Sequence, residues 1–183
     1  MYLFVQSAIL TVLTAGVLFA ADVNPAVSSG AKFPELKASN LESREFNLPQ
    51  DFAGERNLVL IAFQREQQEQ LDTWLKEVKR FQEVDRGLQY YELPTIDKLN
   101  PLVRWFIDSG MRRGIPHKDA RARTITLYID KKSFKESLRI PTEKTVYALL
   151  VDRSGTVLWR AEGTYDKTKG ESLRQALQSQ PKP

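Results

Sequence analysis

The chain has 183 residues, 42% of them hydrophobic and 27% charged, with nine glycines, nine prolines and no cysteine; that profile fits a soluble globular chain. Without a thiol there is no disulfide framework, thiolate nucleophile, CxxC redox pair or cysteine metal site, and a lone histidine, His117, excludes His-rich zinc sites. The 27 Lys and Arg against 23 Asp and Glu give +4 spread along the chain, whereas a dedicated nucleic-acid binder concentrates its excess on one helix or stripe, so nucleic acid is not expected as a partner.

Residues 1–21 hold no charged side chain and run through Leu3, Phe4, Val5, Ile9, Leu10, Val12, Leu13, Val17, Leu18 and Phe19. The segment reads as a signal peptide or a membrane anchor, with a buried helix as a third possibility. A signal peptide normally has a basic start and small residues at −1 and −3. Here no Lys or Arg precedes the run, cleavage after Ala20 leaves Leu18 at −3, and cleavage after Ser28 would place Ala26 there. About 20 helical residues also suffice to span a bilayer. Either leading reading puts the remainder outside the cytoplasm, periplasmic or secreted after cleavage, or anchored at the outer face of a membrane. Residues 22–32 make a small-residue linker, 33–179 one domain and 180–183 a polar tail.

Leu36 to Leu48 reads as two short strands around a polar turn, a hairpin closed by Asp51-Phe52-Ala53-Gly54. Leu58 to Phe63 (LVLIAF) is continuously apolar, which marks a central strand buried on both faces. From Glu66 the period changes. Leu71, Trp74, Leu75, Val78 and Phe81 form one helical stripe of about four turns, with Asp72 and Lys76 spaced to pair. A strand from Leu88 to Leu93 completes a βαβ unit. A second helix, Asn100 to Met111, carries Pro101 at its first position and ends in Arg112, Arg113 and Gly114. Ile125, Leu127 and Ile129 alternate with Thr126 and Tyr128 as a half-buried strand, and Ser133 to Leu138 makes a short helix. Val146 to Val151 is a further apolar strand, Asp152-Arg153-Ser154-Gly155 a hairpin turn into Val157 to Ala161, and Gly170 precedes a final helix, Glu171 to Leu177.

This order predicts an α/β thioredoxin-like fold, a central mixed sheet with flanking helices and a leading β-hairpin. Leu36 to Phe63 resembles the start of peroxiredoxin and thioredoxin-like reductase domains, and Tyr147 to Gly163 their strand, Asp-x-x-Gly turn, strand and trailing glycine. The resemblance implies a reactive cysteine where the first core strand meets its helix, and a cis proline before the strand at Val146. This chain has Gln64, Arg65, Glu66, Gln67 and Gln68 at the first place and Thr145 at the second, so both redox signatures are missing.

A second set of motifs spans most of residues 34 to 163: Phe63 to Trp74, Tyr91-Glu92-Leu93-Pro94, Gly110-Met111-Arg112, Ile115-Pro116, Arg123-Thr124, Tyr128, Phe134, and Val157-Leu158-Trp159 before Gly163. In these the chain resembles the thioredoxin-like family of mitochondrial ATP synthase assembly factors and their bacterial relatives. The resemblance implies a binding, assembly or chaperone role for a protein client, such as a subunit of a membrane complex, without enzymatic chemistry. The rival is an exported enzyme that keeps the fold's cleft and uses polar residues such as Arg65, Glu66 and Gln67 in place of a thiol.

No residue set stands out for catalysis, cofactor or metal. His117 has Asp119 two residues on but no nucleophile motif nearby. The run Gln64 to Gln70 holds Glu66 and Glu69, which suit a first helical turn and would repel an anion. Asp130-Lys131-Lys132 and Lys135-Glu136 read as a solvated turn and helix face. Trp74 belongs to the core stripe, while Trp105 and Trp159 are left open between core and surface. Arg112, Arg113, Lys118, Arg121 and Arg123 form the one dense basic stretch, with Asp119 as its sole acid. The two arginines at the helix end are accounted for by the helix dipole. The three in the following loop are not, and mark a candidate surface for an acidic partner or an anionic membrane. Arg123, next to a strand, is alternatively a partner for Asp130 or Asp152 inside the fold.

Overall fold

A computed structural model describes residues 30–179. The apolar segment 1–21, most of the linker 22–32 and the tail 180–183, with the signal-or-anchor reading that rests on the first, lie outside the described residues.

The leading hairpin forms from β1 (Leu36–Asn40) and β2 (Glu45–Leu48), antiparallel with Leu36 opposite Leu48. Asn40 shapes its turn: Oδ1 accepts from the backbone N–H groups of Glu42 and Arg44, while Nδ2 reaches the Ala122 carbonyl, so a local Asx turn is fastened to a distant segment.

Next comes β3 (Arg56–Ala62), every residue of it buried, parallel to β4 (Leu88–Asp97). Their crossover is a short 3₁₀ turn, Arg65–Gln67, followed by α1 (Gln68–Leu75) and α2 (Val78–Val84). The single four-turn helix expected here is therefore two. At the break the Glu77 N–H bonds to the Trp74 carbonyl, three residues back, so the winding tightens locally. The stripe survives it, with Leu71, Trp74, Val78 and Phe81 all buried. Asp72 accepts from Gln68 Nε2, on the side opposite to the expected Lys76.

β4 runs past Leu93. Pro94, which has no N–H to give a ladder, is the last residue paired to β3, and Thr95–Asp97 switch partner to β5 (Ile125–Ile129). Between β4 and β5 lie α3 (Pro101–Gly114), N-capped by Asn100, and α4 (Lys118–Arg123). The expected loop carrying Lys118, Arg121 and Arg123 is thus a helix. Its sequence, Lys-Asp-Ala-Arg-Ala-Arg, consists of good helix formers with Asp119 in the first turn, where the dipole favours an acid, yet has no apolar period to announce a helix.

Asp130 caps α5 (Lys131–Ser137), accepting from the Lys132 N–H. Lys131 and Lys135 are more than a solvated face, since both pair with Glu143 at 2.7 Å. β6 (Tyr147–Asp152) and β7 (Val157–Glu162) make the closing hairpin. At its turn Gly155 has φ +82°, and a Cβ there would lie 2.7 Å from Pro49, so glycine is required twice over. The last helix, α6 (Lys167–Ser179), starts earlier than expected and contains Gly170 instead of following it. Gly170 is inside because Tyr165 lies across it, leaving no room for a Cβ.

The strands form one seven-stranded mixed sheet in the order β2-β1-β5-β4-β3-β6-β7, the predicted central sheet with a leading hairpin and flanking helices. Alternation along β3 divides the core. Val59 and Ile61 join Phe33, Phe52, Leu93, Leu127, Phe134 and Leu149 on one face. Leu58 and Leu60 meet Trp74, Phe81, Leu150, Trp159 and Leu173 on the other. Trp159 is thereby assigned to the core, at 1% exposure. Among the described residues no helix is long and apolar enough to cross a membrane.

Candidate functional site

The junction after β3 is the place where the fold's oxidoreductases would carry their thiol. Gln64, Arg65, Glu66 and Gln68 are exposed there, and Gln67 turns inward and is buried. Its Oε1 accepts from the N–H groups of Phe63 (2.8 Å) and Gln64 (3.3 Å), and its Nε2 donates to the Glu143 carbonyl at 2.7 Å. A glutamine with both ends of its amide engaged in this way is a structural plug. One turn on, Gln70 Oε1 accepts from Thr145 Oγ1 and from the Val146 N–H. Two glutamines therefore stitch the turn and α1 to the segment preceding β6, the position of the proline that is missing. Polar groups do converge here, but on one another and on the protein's own backbone.

Glu92 is the one buried carboxylate near this junction. It lies on β4 opposite Leu60, and one oxygen accepts from Gln68 Nε2 at 3.4 Å. Burial raises its pKa above the ordinary 4.5, with Gln68 pulling it down and Asp72 adding to the rise. A buried carboxyl beside a second carboxylate, Asp72, which shares the Gln68 Nε2 donor, suits acid–base work, but among the described residues no hydroxyl or amine is hydrogen-bonded to either of them. His117 is exposed at the start of α4. Among the described residues no group of three metal-ligating side chains assembles.

The five basic residues do not form one free patch. Arg112 donates from Nε to the Leu41 carbonyl and from Nη2 to Ser43 Oγ, clamping the end of α3 to the hairpin turn. Arg121 pairs with Glu42 and donates to the carbonyls of Ile115 and Pro116. That hydrogen bond from Arg121 holds the Glu42 carboxyl below its usual range. Arg123 donates to Gln89 Oε1 and its guanidinium stacks 4.7 Å over the Tyr90 ring, so its partners are neither Asp130 nor Asp152. Arg113 and Lys118 remain exposed, Arg113 bonding back to the Ser109 carbonyl of its own helix. The chain's positive excess is also less evenly spread than its total suggests. Residues 98–123 carry seven Lys and Arg against two Asp, a net +5, while the whole chain carries +4.

On α3, Leu102, Trp105 and Phe106 are 76%, 63% and 66% exposed, and no residue of the helix is buried. Trp105 is therefore a surface residue. The available signal was the number of apolar residues in Leu102-Val103-Arg104-Trp105-Phe106-Ile107, more than one buried stripe needs.

A mixed sheet of this order, with its helices on both faces and its thiol position closed by glutamine, defines a thioredoxin-like protein without the redox centre. Solved structures agree on the fold. The thioredoxin domain of a thiol-disulfide oxidoreductase from Bacteroides vulgatus superposes with a TM-score of 0.54 at 16% identity, covering 83% of this chain and 99% of that one. A thiol:disulfide interchange protein from Bacteroides sp. gives 0.51 at 19% identity, covering 81% and 87%. At such identities the likeness speaks for the fold alone. Among curated protein sequences none matches. The family model described as ATP10 protein matches residues 17–179, and the chain belongs to that family.

Proposed function

We propose that this chain is an assembly or chaperone-type factor that binds a protein client, a subunit of a membrane complex such as ATP synthase, and performs no redox chemistry. Membership of the ATP10 family supports the assembly role. The observation that carries the reading is Gln67, whose buried amide is engaged at both ends by Phe63, Gln64 and Glu143 at the junction where the fold's enzymes act. Such a junction retains the scaffold and leaves function to the surface. Residues 1–21 would export the domain or hold it at the outer face of a membrane, where a membrane client is met.

The test is capture by the full chain. A tagged version is cross-linked in intact membranes, and bound subunits are quantified by mass spectrometry. The reading expects membrane-sector ATP synthase subunits enriched well above their ratio in the finished complex. Recovery in the finished ratio, or no recovery, contradicts it.

A further inference from the structure

We propose that the outward face of α3 docks on the surface of an anionic lipid bilayer, with Leu102, Trp105 and Phe106 seated at the boundary between headgroups and acyl chains. An ordinary surface helix turns its apolar stripe to the core and its polar side to water. In α3 this is inverted. The sides facing the fold are held by polar contacts: Tyr128 Oη donates to Asp108 at 2.8 Å, the Arg104 guanidinium lies over the Tyr128 ring, and Arg112 clamps the hairpin turn. Leu102, Trp105 and Phe106, at i, i+3 and i+4, share the opposite side and are left to solvent.

Charge selects the occupant. The segment from Lys98 to Arg123 carries a net +5 while the rest of the chain carries −1; Arg121 is paired with Glu42, whereas Lys98 just before α3, Arg113 in its last turn and Lys118 at the start of α4 are exposed. Exposed Leu, Trp and Phe bordered by Lys and Arg are the composition of a helix lying in the plane of a membrane interface, where anionic headgroups attract the cations. An uncharged transmembrane client would match the apolar side chains and leave the cations without a role. The inference concerns lipid and is independent of the assembly reading; either can fail without the other.

Trp105 supplies the reporter. Trp74 and Trp159 are 0% and 1% exposed, and residues 1–29 contain no tryptophan, so quenching by lipid reads α3 even if residues 1–21 also enter the bilayer. The full chain is mixed with phosphatidylcholine vesicles with and without phosphatidylglycerol, some carrying bromine on the upper acyl carbons. On the anionic vesicles, Trp105 emission shifts to the blue and is quenched by the brominated lipid. A Leu102→Gln, Phe106→Gln variant loses at least about tenfold of that quenching response. An Arg113→Gln, Lys118→Gln variant weakens it about fivefold for each cation removed. Thermal melts of both variants, run alongside, are unchanged. Trp105 emission indifferent to every protein-free vesicle overturns the proposal, as does quenching equal in wild type and the Leu102→Gln, Phe106→Gln variant. A response confined to vesicles carrying a reconstituted membrane protein also overturns it, assigning the face to a protein partner.

Discussion

Gln67, on the turn that follows β3, and Glu143, 76 residues later, are joined by a 2.7 Å hydrogen bond from the Gln67 amide to the Glu143 carbonyl. Glu143 in turn gathers Lys131 and Lys135 from α5. One buried side chain thus links the junction after β3 to the strand-entry segment and, through it, to α5 on the far side of the sheet.

Gln67→Ala removes the acceptor for the Phe63 N–H and leaves that buried donor unpaired. Urea unfolding should show a loss of about 1–3 kcal/mol. A loss under about 0.5 kcal/mol would mean that water replaces the amide and that the junction is open.

Trp74 is fully buried, meets Trp159 and Tyr165 edge to face at 5.9 and 5.3 Å, and donates from Nε1 to the Gly163 carbonyl. Trp74→Ala should cost about 3–5 kcal/mol in the same measurement, from lost transfer free energy and the cavity left behind. A cost below about 1 kcal/mol would contradict the packing of α1 on the sheet.

Two carboxylates respond to pH in opposite directions. Burial sets the Glu92 carboxyl above 4.5, so its contribution to stability is complete below that value and is lost as pH rises through the raised one. Hydrogen bonds from Lys131 and then Lys135 set Glu143 below 4.5, so its contribution is present above that value and is lost as pH falls through the lowered one. Glu92→Gln should therefore melt above wild type at neutral pH, with the gap narrowing in acid, whereas Glu143→Gln should melt below wild type at neutral pH. Melting curves across the range check both signs.

The fold was legible where burial follows a period. Leu58 to Phe63 had to be a central strand, and the stripe from Leu71 to Phe81 had to pack on it, as both do. The break at Glu77 was not legible, because tightening a helix by one hydrogen bond leaves the stripe intact. Nor was α4, whose six residues show no amphipathic period, or Gly170, whose place inside α6 depends on Tyr165 lying across it. At the junction, pattern alone marks Gln67 as surface like its neighbours, and its burial depends on a carbonyl 76 residues away. The face of α3 was hidden for another reason: Pro101 and the Arg112-Arg113-Gly114 end mark a helix without saying which side faces the core, and they leave Trp105 open between core and surface.

The basic residues divide by partner. Arg121 joins Glu42 and two backbone carbonyls, so Arg121→Gln should lower stability by about 1–2 kcal/mol. Arg113→Gln and Lys118→Gln, both at exposed sites, should change it by less than about 0.5 kcal/mol. Equal effects from all three would show that the hairpin turn does not depend on Arg121.

The assembly role is tested most directly by the amount of finished ATP synthase, resolved on a native gel, in cells lacking this chain. The account predicts less intact complex and an accumulation of subcomplexes short of the membrane sector, both restored by the wild-type chain, which has no cysteine to contribute. Unchanged levels of intact ATP synthase in the deleted cells would contradict it.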